Sequence, residues 1–120
     1  MADRPRPPED ILPEQFFTRW IPEVVAADAE RRRRLGNASH VLAFELEGEG
    51  GGHFHLRVDD GRVEGYRGAP ERADLRIRLD VPTWRELNRG SLSAPEAFLR
   101  RRVRLEGNLL LAIKLHVIIG

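Results

Sequence analysis

The stretch RVRLEGNLLLAIKLHVIIG, residues 102–120, decides the fold. Its first five residues alternate charged and apolar: Arg102, Val103, Arg104, Leu105, Glu106. That alternation puts Val103 and Leu105 on one face of a strand and the charges on the other. Gly107 and Asn108 break the strand, and Asn108 is placed to cap a following helix. From Leu109 to Ile119 the chain is apolar almost all round, interrupted only by Lys114 and His116. Such a helix must be buried, lie in a membrane, or cover something apolar that is not protein. Spanning a bilayer takes about 20 apolar residues, and this run is shorter and carries charge. The choice is between a core helix and the lid of an apolar ligand pocket.

Composition narrows the classes. A chain of 120 residues makes one domain with a real core. Its net charge of +1 creates no field for nucleic acid or an anionic membrane. Lys114 is the sole lysine beside a large excess of arginine. Without cysteine there is no disulfide, thiolate catalysis or cysteine-ligated metal. Residues 1–11, opening MADRPRPPED, read as a disordered N-terminal arm and not as a secretory signal. The last residues are no peroxisomal address, so the expected location is cytoplasmic.

Residues 12–120 read as the folded domain. Pro13 starts a helix whose Phe16, Phe17, Trp20 and Ile21 share a face. Pro22 predicts a break, giving helical pieces over Pro13–Trp20 and Pro22–Leu35, the second stopped by Gly36. Alternation then marks strands. Leu42, Phe44 and Leu46 lie in the first, Phe54, Leu56 and Val58 in the second, and Leu75, Ile77 and Leu79 in the fourth. Gly48–Gly52 is a flexible hairpin connection, and Asp60-Gly61 is a two-residue hairpin turn. Val63 and Tyr66 belong to a short third strand interrupted by Gly65. A helix begins near Asp80 and stops at Gly90, and Ser93-Ala94-Pro95-Glu96 forms a capping box for the next. Every strand has one apolar and one charged face. A parallel sheet covered on both sides would instead read as continuous apolar runs. The fold class is therefore α+β: one mainly antiparallel five-stranded sheet with helices packed on one face.

In order and spacing these elements resemble the sterol carrier protein type 2 family of lipid-binding domains. The resemblance runs from about Leu12 to Ile119. It is carried by Phe44-Glu45-Leu46, by Phe54-His55-Leu56-Arg57-Val58-Asp59-Asp60-Gly61, by Gly65 and by Ala73-Asp74-Leu75-Arg76-Ile77. Trp84-Arg85-Glu86-Leu87-Asn88-Arg89-Gly90 and Val103-Arg104-Leu105-Glu106-Gly107-Asn108 complete it. The resemblance implies helices that, with the sheet, enclose an apolar tunnel for fatty acyl chains, sterols or similar lipids. It implies no catalytic residue and no cofactor. Two departures stand out. Arg100-Arg101-Arg102 crowd the approach to the last strand, where the family has a small residue. The chain also ends directly after its apolar helix, which implies a shorter or more open tunnel.

On that resemblance, the expected lipid-binding residues are Trp84, Leu87, Phe98, Leu110, Ile113, Ile118, Ile77 and Leu79. Read without it, the same residues close a dry core. His53, His55 and Arg57 lie on the far strand face, and two histidines are too few for a metal site. His116 reads as a surface or partly satisfied histidine. Arg57, Arg76, Arg78 and Arg104 interleave with Glu45, Asp74, Asp80 and Glu106 as a solvated mixed-charge face without the aromatics of a nucleic-acid reader. Arg31–Arg34 and Arg100–Arg102 are membrane-docking or partner patches, or compensation of helix dipoles. Ser39, Ser91 and Ser93 lack a nucleophile-elbow setting, and Gly48–Gly52 lacks the lysine of a phosphate loop.

The expected function is non-enzymatic binding and transfer or presentation of a lipid or fatty-acid-like ligand, with transient contact at a membrane surface. The alternative is an accessory module of lipid or quinone metabolism that dimerises, or docks a partner enzyme, through the apolar C-terminal helix. The sequence leaves monomer and homodimer open, and no nucleic acid partner is expected.

Overall fold

A computed structural model describes residues 6–119. Its element order begins with α1 (Pro13–Gln15), a π-helical turn (Phe16–Trp20), α2 (Ile21–Ala26) and α3 (Ala29–Leu35). Strands β1 (Ser39–Glu47), β2 (Gly52–Asp59), β3 (Arg62–Arg67) and β4 (Leu75–Asp80) follow. The chain then forms α4 (Val81–Arg89), α5 (Ala94–Leu99), β5 (Val103–Gly107) and α6 (Leu111–Ile119).

The sheet runs β3-β2-β1-β4-β5. All neighbours are antiparallel except β1 and β4, which pair in parallel from Leu42↔Leu75 to Glu47↔Asp80. The parallel pair arises because the chain leaves β3 at one edge and returns to the far side of β1. Leu42, Phe44, Leu46, Phe54, Leu56, Val58, Leu75, Ile77 and Leu79 are all buried, as their alternation requires. On the opposite face Glu45 pairs with Arg78, its register neighbour, at 2.8 Å. Asp60 and Gly61 both have positive φ, at 50° and 78°, and make a two-residue turn joining Asp59 to its partner Arg62.

The helical layer departs from expectation at Pro22. The chain does not break there, and Ile21 keeps helical angles of φ −60° and ψ −50°. Instead the Ile21 amide donates to the carbonyl of Phe16, five residues back, opening a π-turn that absorbs the proline. The break comes later. Asp28 leaves the helical region and caps α3, accepting from the Arg31 amide at 3.0 Å. The piece expected over Pro22–Leu35 is therefore two helices. Gly36 ends α3 with φ 71°, as expected.

The π-turn seats the helical layer on the sheet. Phe17 stacks on Phe54 with ring centroids 5.1 Å apart and lies 4.6 Å from Phe44. Phe16 sets its edge against Phe17 at 5.0 Å and Trp84 at 5.3 Å. Gly65 does not interrupt β3. It faces the helices, and a Cβ there would stand 1.8 Å from the Phe17 carbonyl oxygen. Tyr66 consequently points outward, stacked on His55 at 5.1 Å.

The expectation of a disordered arm over residues 1–11 meets ordered structure in its last residues. Residues 1–5 lie outside the described residues. Ile11, however, is buried in the core, and the Arg85 guanidinium donates to the carbonyls of Glu9 and Ile11 at 2.8 and 2.6 Å. Order therefore begins before Leu12.

Gly65→Ala tests the close approach. The added methyl forces the π-turn away from β3, and urea unfolding should show a loss of about 2–3 kcal/mol with an unchanged slope. A near-neutral result would mean that the two backbones are not in contact.

Candidate functional site

α4 is built to hold an inward face rigidly. Asp80 caps it, accepting from the Thr83 amide at 2.8 Å, and Gly90 closes it with φ 77° in the left-handed region. Thr83 is fully buried and accepts from Arg102 Nε at 3.1 Å, while Arg102 also pairs with Glu86. Asp80, Thr83, Glu86 and Arg102 thus form one polar lock between α4 and the entry to β5. Hydrogen bonds from Thr83 hold the Asp80 carboxyl below its ordinary range, against a smaller opposing effect of burial. The bond from Arg102 does the same for Glu86.

Arg102 is therefore part of the fold and not of a surface patch. Arg101 beside it adopts a left-handed conformation with φ 59°, which lets the Arg102 amide reach back to the Ala97 carbonyl at 2.8 Å. The first arginine run is also partly internal. Arg31 donates to the Ile118 carbonyl at 3.0 Å, Arg32 donates to Val25 at 3.2 Å, and Lys114 Nζ donates to the Leu35 carbonyl at 2.6 Å. Arg31 and Lys114 each neutralise late carbonyls of the other's helix, and their pairing order makes α3 and α6 antiparallel.

The eight residues expected to line the tunnel separate into two groups. Ile77, Leu79, Trp84 and Ile118 are buried in the core, and Leu87 is half-buried against it. Phe98, Leu110 and Ile113 face outward, exposed by 51%, 76% and 70%. The eight do not line one enclosed space. Beneath the helices on the β1–β2 side, the room between layers is taken by Phe16, Phe17, Phe44 and Phe54. Two open depressions, of about 530 and 400 Å³, are lined by other residues: the first by Arg32, Arg33, Asn37 and Asp60, the second by His40, Arg57, Tyr66 and Asp74 among others.

The β5 side is covered less completely. Val103 and Leu105, the inward residues of this edge strand, are only half-buried. Phe98 and Leu99 on α5 stand before the strand, and Leu109, Leu110 and Ile113 stand after it, all exposed. The apolar helix packs on α2 and α3, with Leu111 and Ile118 inward while Ile113 looks out. No helix among the described residues is long and apolar enough to cross a membrane.

Two further features were missed by sequence reasoning. Trp84 Nε1 and Asn88 Nδ2 are buried without a hydrogen-bond partner, which costs about 1–3 kcal/mol for each unmet donor. Val103 and Leu105, inward on the edge strand and half-buried, are the other, and the signal for them is the alternation of residues 102–106.

Comparison with known proteins gives this arrangement its family. The model of the SCP-2 sterol transfer family matches residues 21–120. The chain belongs to that family. Hydroxysteroid dehydrogenase-like protein 2 of Pongo abelii is 27% identical over 114 residues, covering 94% of this chain but 26% of that protein. The Bos taurus protein of the same name is 32% identical over 77 residues, 63% of this chain and 18% of that protein. The chain therefore spans about a quarter or less of the length of these curated relatives.

Among solved SCP-2 folds, sterol carrier protein domain 2 of Helicoverpa armigera superposes with a TM-score of 0.65 at 20% identity, covering 92% of this chain and 87% of that one. The sec-alkylsulfatase Pisa1 from Pseudomonas sp. shares the fold over 92% of this chain and 17% of its own, with a TM-score of 0.67 at 19% identity. Membership in the SCP-2 family supports lipid binding or transfer in general terms, and the same fold also occurs as a small part of a larger enzyme.

The polar lock predicts an acid response. A lowered native carboxyl adds stability that is complete above the ordinary carboxylate range, about pH 4, and is lost as pH falls through the native value. Asp80→Asn keeps a capping side chain but removes that titration. Its thermal midpoint should fall less steeply than that of the parent below about pH 4. Parallel curves would show that Asp80 gains nothing from Thr83.

Proposed function

We propose that this domain binds a long-chain lipid over the β5 edge of its sheet, between α5 and α6, and transfers or presents it without chemistry of its own. The observation that carries the reading is the partial cover of Val103 and Leu105, with exposed apolar residues on both flanking segments. In this reading Leu87, Val103 and Leu105 form the floor. Phe98, Leu110 and Ile113 close over the ligand, and Ile77, Leu79, Trp84 and Ile118 support the floor from the core. The membership in the SCP-2 family supports the ligand class. Each methylene removed from water contributes about 0.8 kcal/mol, so a fatty acyl chain is held mainly by burial.

Exposure of Leu109, Leu110 and Ile113 also favours a second reading, in which α6 joins a second copy or docks a partner enzyme. A lipid cover and a protein contact use the same side chains but respond differently to added lipid.

Organic extraction of the purified protein with mass spectrometry, paired with displacement of a fluorescent fatty acid, separates the two. The carrier reading predicts bound lipid and saturable displacement. Ile113→Glu should weaken binding by about tenfold or more, since it sets a charge against the acyl chain. That variant should keep its fold, because Ile113 is exposed. A well-folded protein with no lipid, no displacement and a concentration-dependent dimer abolished by Ile113→Glu would replace the carrier with the interaction module.

A further inference from the structure

We infer that the open edge of β5 pairs antiparallel with β5 of a second copy of this chain, about a two-fold axis through Leu105. The inference goes beyond the lipid-binding reading and does not rest on it. It also differs from a contact through α6, because the main chain of the edge strand makes it. Among the described residues β5 ends the sheet, and it pairs with β4 in continuous register from Leu79↔Val103 to Leu75↔Gly107. Just beyond it, the Asn108 amide donates to the Asp74 carbonyl at 2.8 Å. Bonds between antiparallel strands fall on alternate residues, so Glu106 and Arg104 turn their main-chain groups toward β4. Val103 and Leu105 turn theirs toward the open side. No proline, bulge or inward charge blunts this edge, whose inward residues are apolar and half-buried.

Self-complementary charge makes a second copy the fitting occupant. An axis at Leu105 sets Leu105 opposite Leu105, and Arg104 of each copy opposite Glu106 of the other. The two charged pairs then fall at the non-hydrogen-bonded positions, where facing side chains approach most closely. Both residues are exposed. Within one chain Arg104 stands across from Arg78, which is already paired with Glu45 at 2.8 Å. Like charges so placed are unfavourable, and Arg104 has no ion pair among the described residues. Glu106 of the second copy supplies the missing negative charge.

The exposed leucines fit the same axis. Antiparallel pairing brings the approach to one strand beside the exit from the other. Leu99, 81% exposed before β5, and Leu109, 57% exposed after it, then meet across the axis twice. Neither has a place in the lipid-binding reading. On the inward face, half-buried Leu105 gains Leu105 of the second copy as a neighbour.

Sedimentation velocity over a range of concentrations measures the association, and a charge swap tests its register. The parent protein is expected to dimerise reversibly. Arg104→Glu sets two acids opposite each other on both sides of the axis and should weaken the dimer about tenfold or more, as should Glu106→Arg. The double variant Arg104→Glu/Glu106→Arg restores both pairs with reversed sign and should return the dimer to within about threefold of the parent. Thermal melts check the fold of each variant, and the double variant reads the register even if one single variant fails to fold. A parent that stays monomeric, a dimer indifferent to Arg104→Glu, or a double variant that recovers nothing would overturn the inference. A dimer lost on Ile113→Glu but untouched by Arg104→Glu would assign the contact to α6 instead.

Discussion

The structure depends on one close approach: the Phe17 carbonyl against the bare backbone of Gly65. A π-turn brings it there, because Pro22 offers no amide and the chain accommodates the loss by widening one turn. That turn delivers Phe16 and Phe17 together onto the sheet. Phe17 meets Phe44 and Phe54 on β1 and β2, while Phe16 reaches Trp84 on α4. One local deviation thus ties the N-terminal helices, the middle of the sheet and the helix after β4 into a single packed unit.

The same packing makes the two sides of the sheet unequal. Aromatic rings fill the β1–β2 side, where Leu56 and Val58 are buried as well. On the β5 side the covering element is the short α5, while the C-terminal helix packs on α2 and α3 through Leu111 and Ile118 and is tied to α3 by Arg31 and Lys114. Apolar residues are left half-covered on β5 and exposed on both flanks, which is where the proposed ligand would be buried. Arg102, locked to Thr83 and Glu86, keeps β5 aligned while its cover remains incomplete.

Much of this was legible in the residues. Alternation from Leu42 to Leu79 gave the inward face, Asp60-Gly61 gave its hairpin, and Gly90 and Ser93 marked helix ends that the structure places there. Order and spacing sufficed for the family. The parallel pairing of β1 with β4 was not legible, because alternation reports which face is buried and not which strand is adjacent. Pro22 misled because its usual effect assumes α-helical spacing. The lining residues were only partly legible: a large apolar side chain such as Ile113 or Phe98 reads alike whether it closes a core or stands open beside one. The arginine runs misled in the opposite sense, since nothing in RRRR distinguishes Arg31, which ties two helices together, from Arg33, which pairs at the surface with Glu30.

In the proposed function, lipid is taken up at the β5 edge and not within the aromatic-filled side. Methyl-detected NMR during titration with palmitate measures that directly. Saturable shifts are expected at the methyls of Leu87, Val103, Leu105, Leu110 and Ile113, with Leu56 and Val58 little affected. Shifts confined to Leu56, Val58 and their neighbours, or none anywhere in a folded sample, would contradict it.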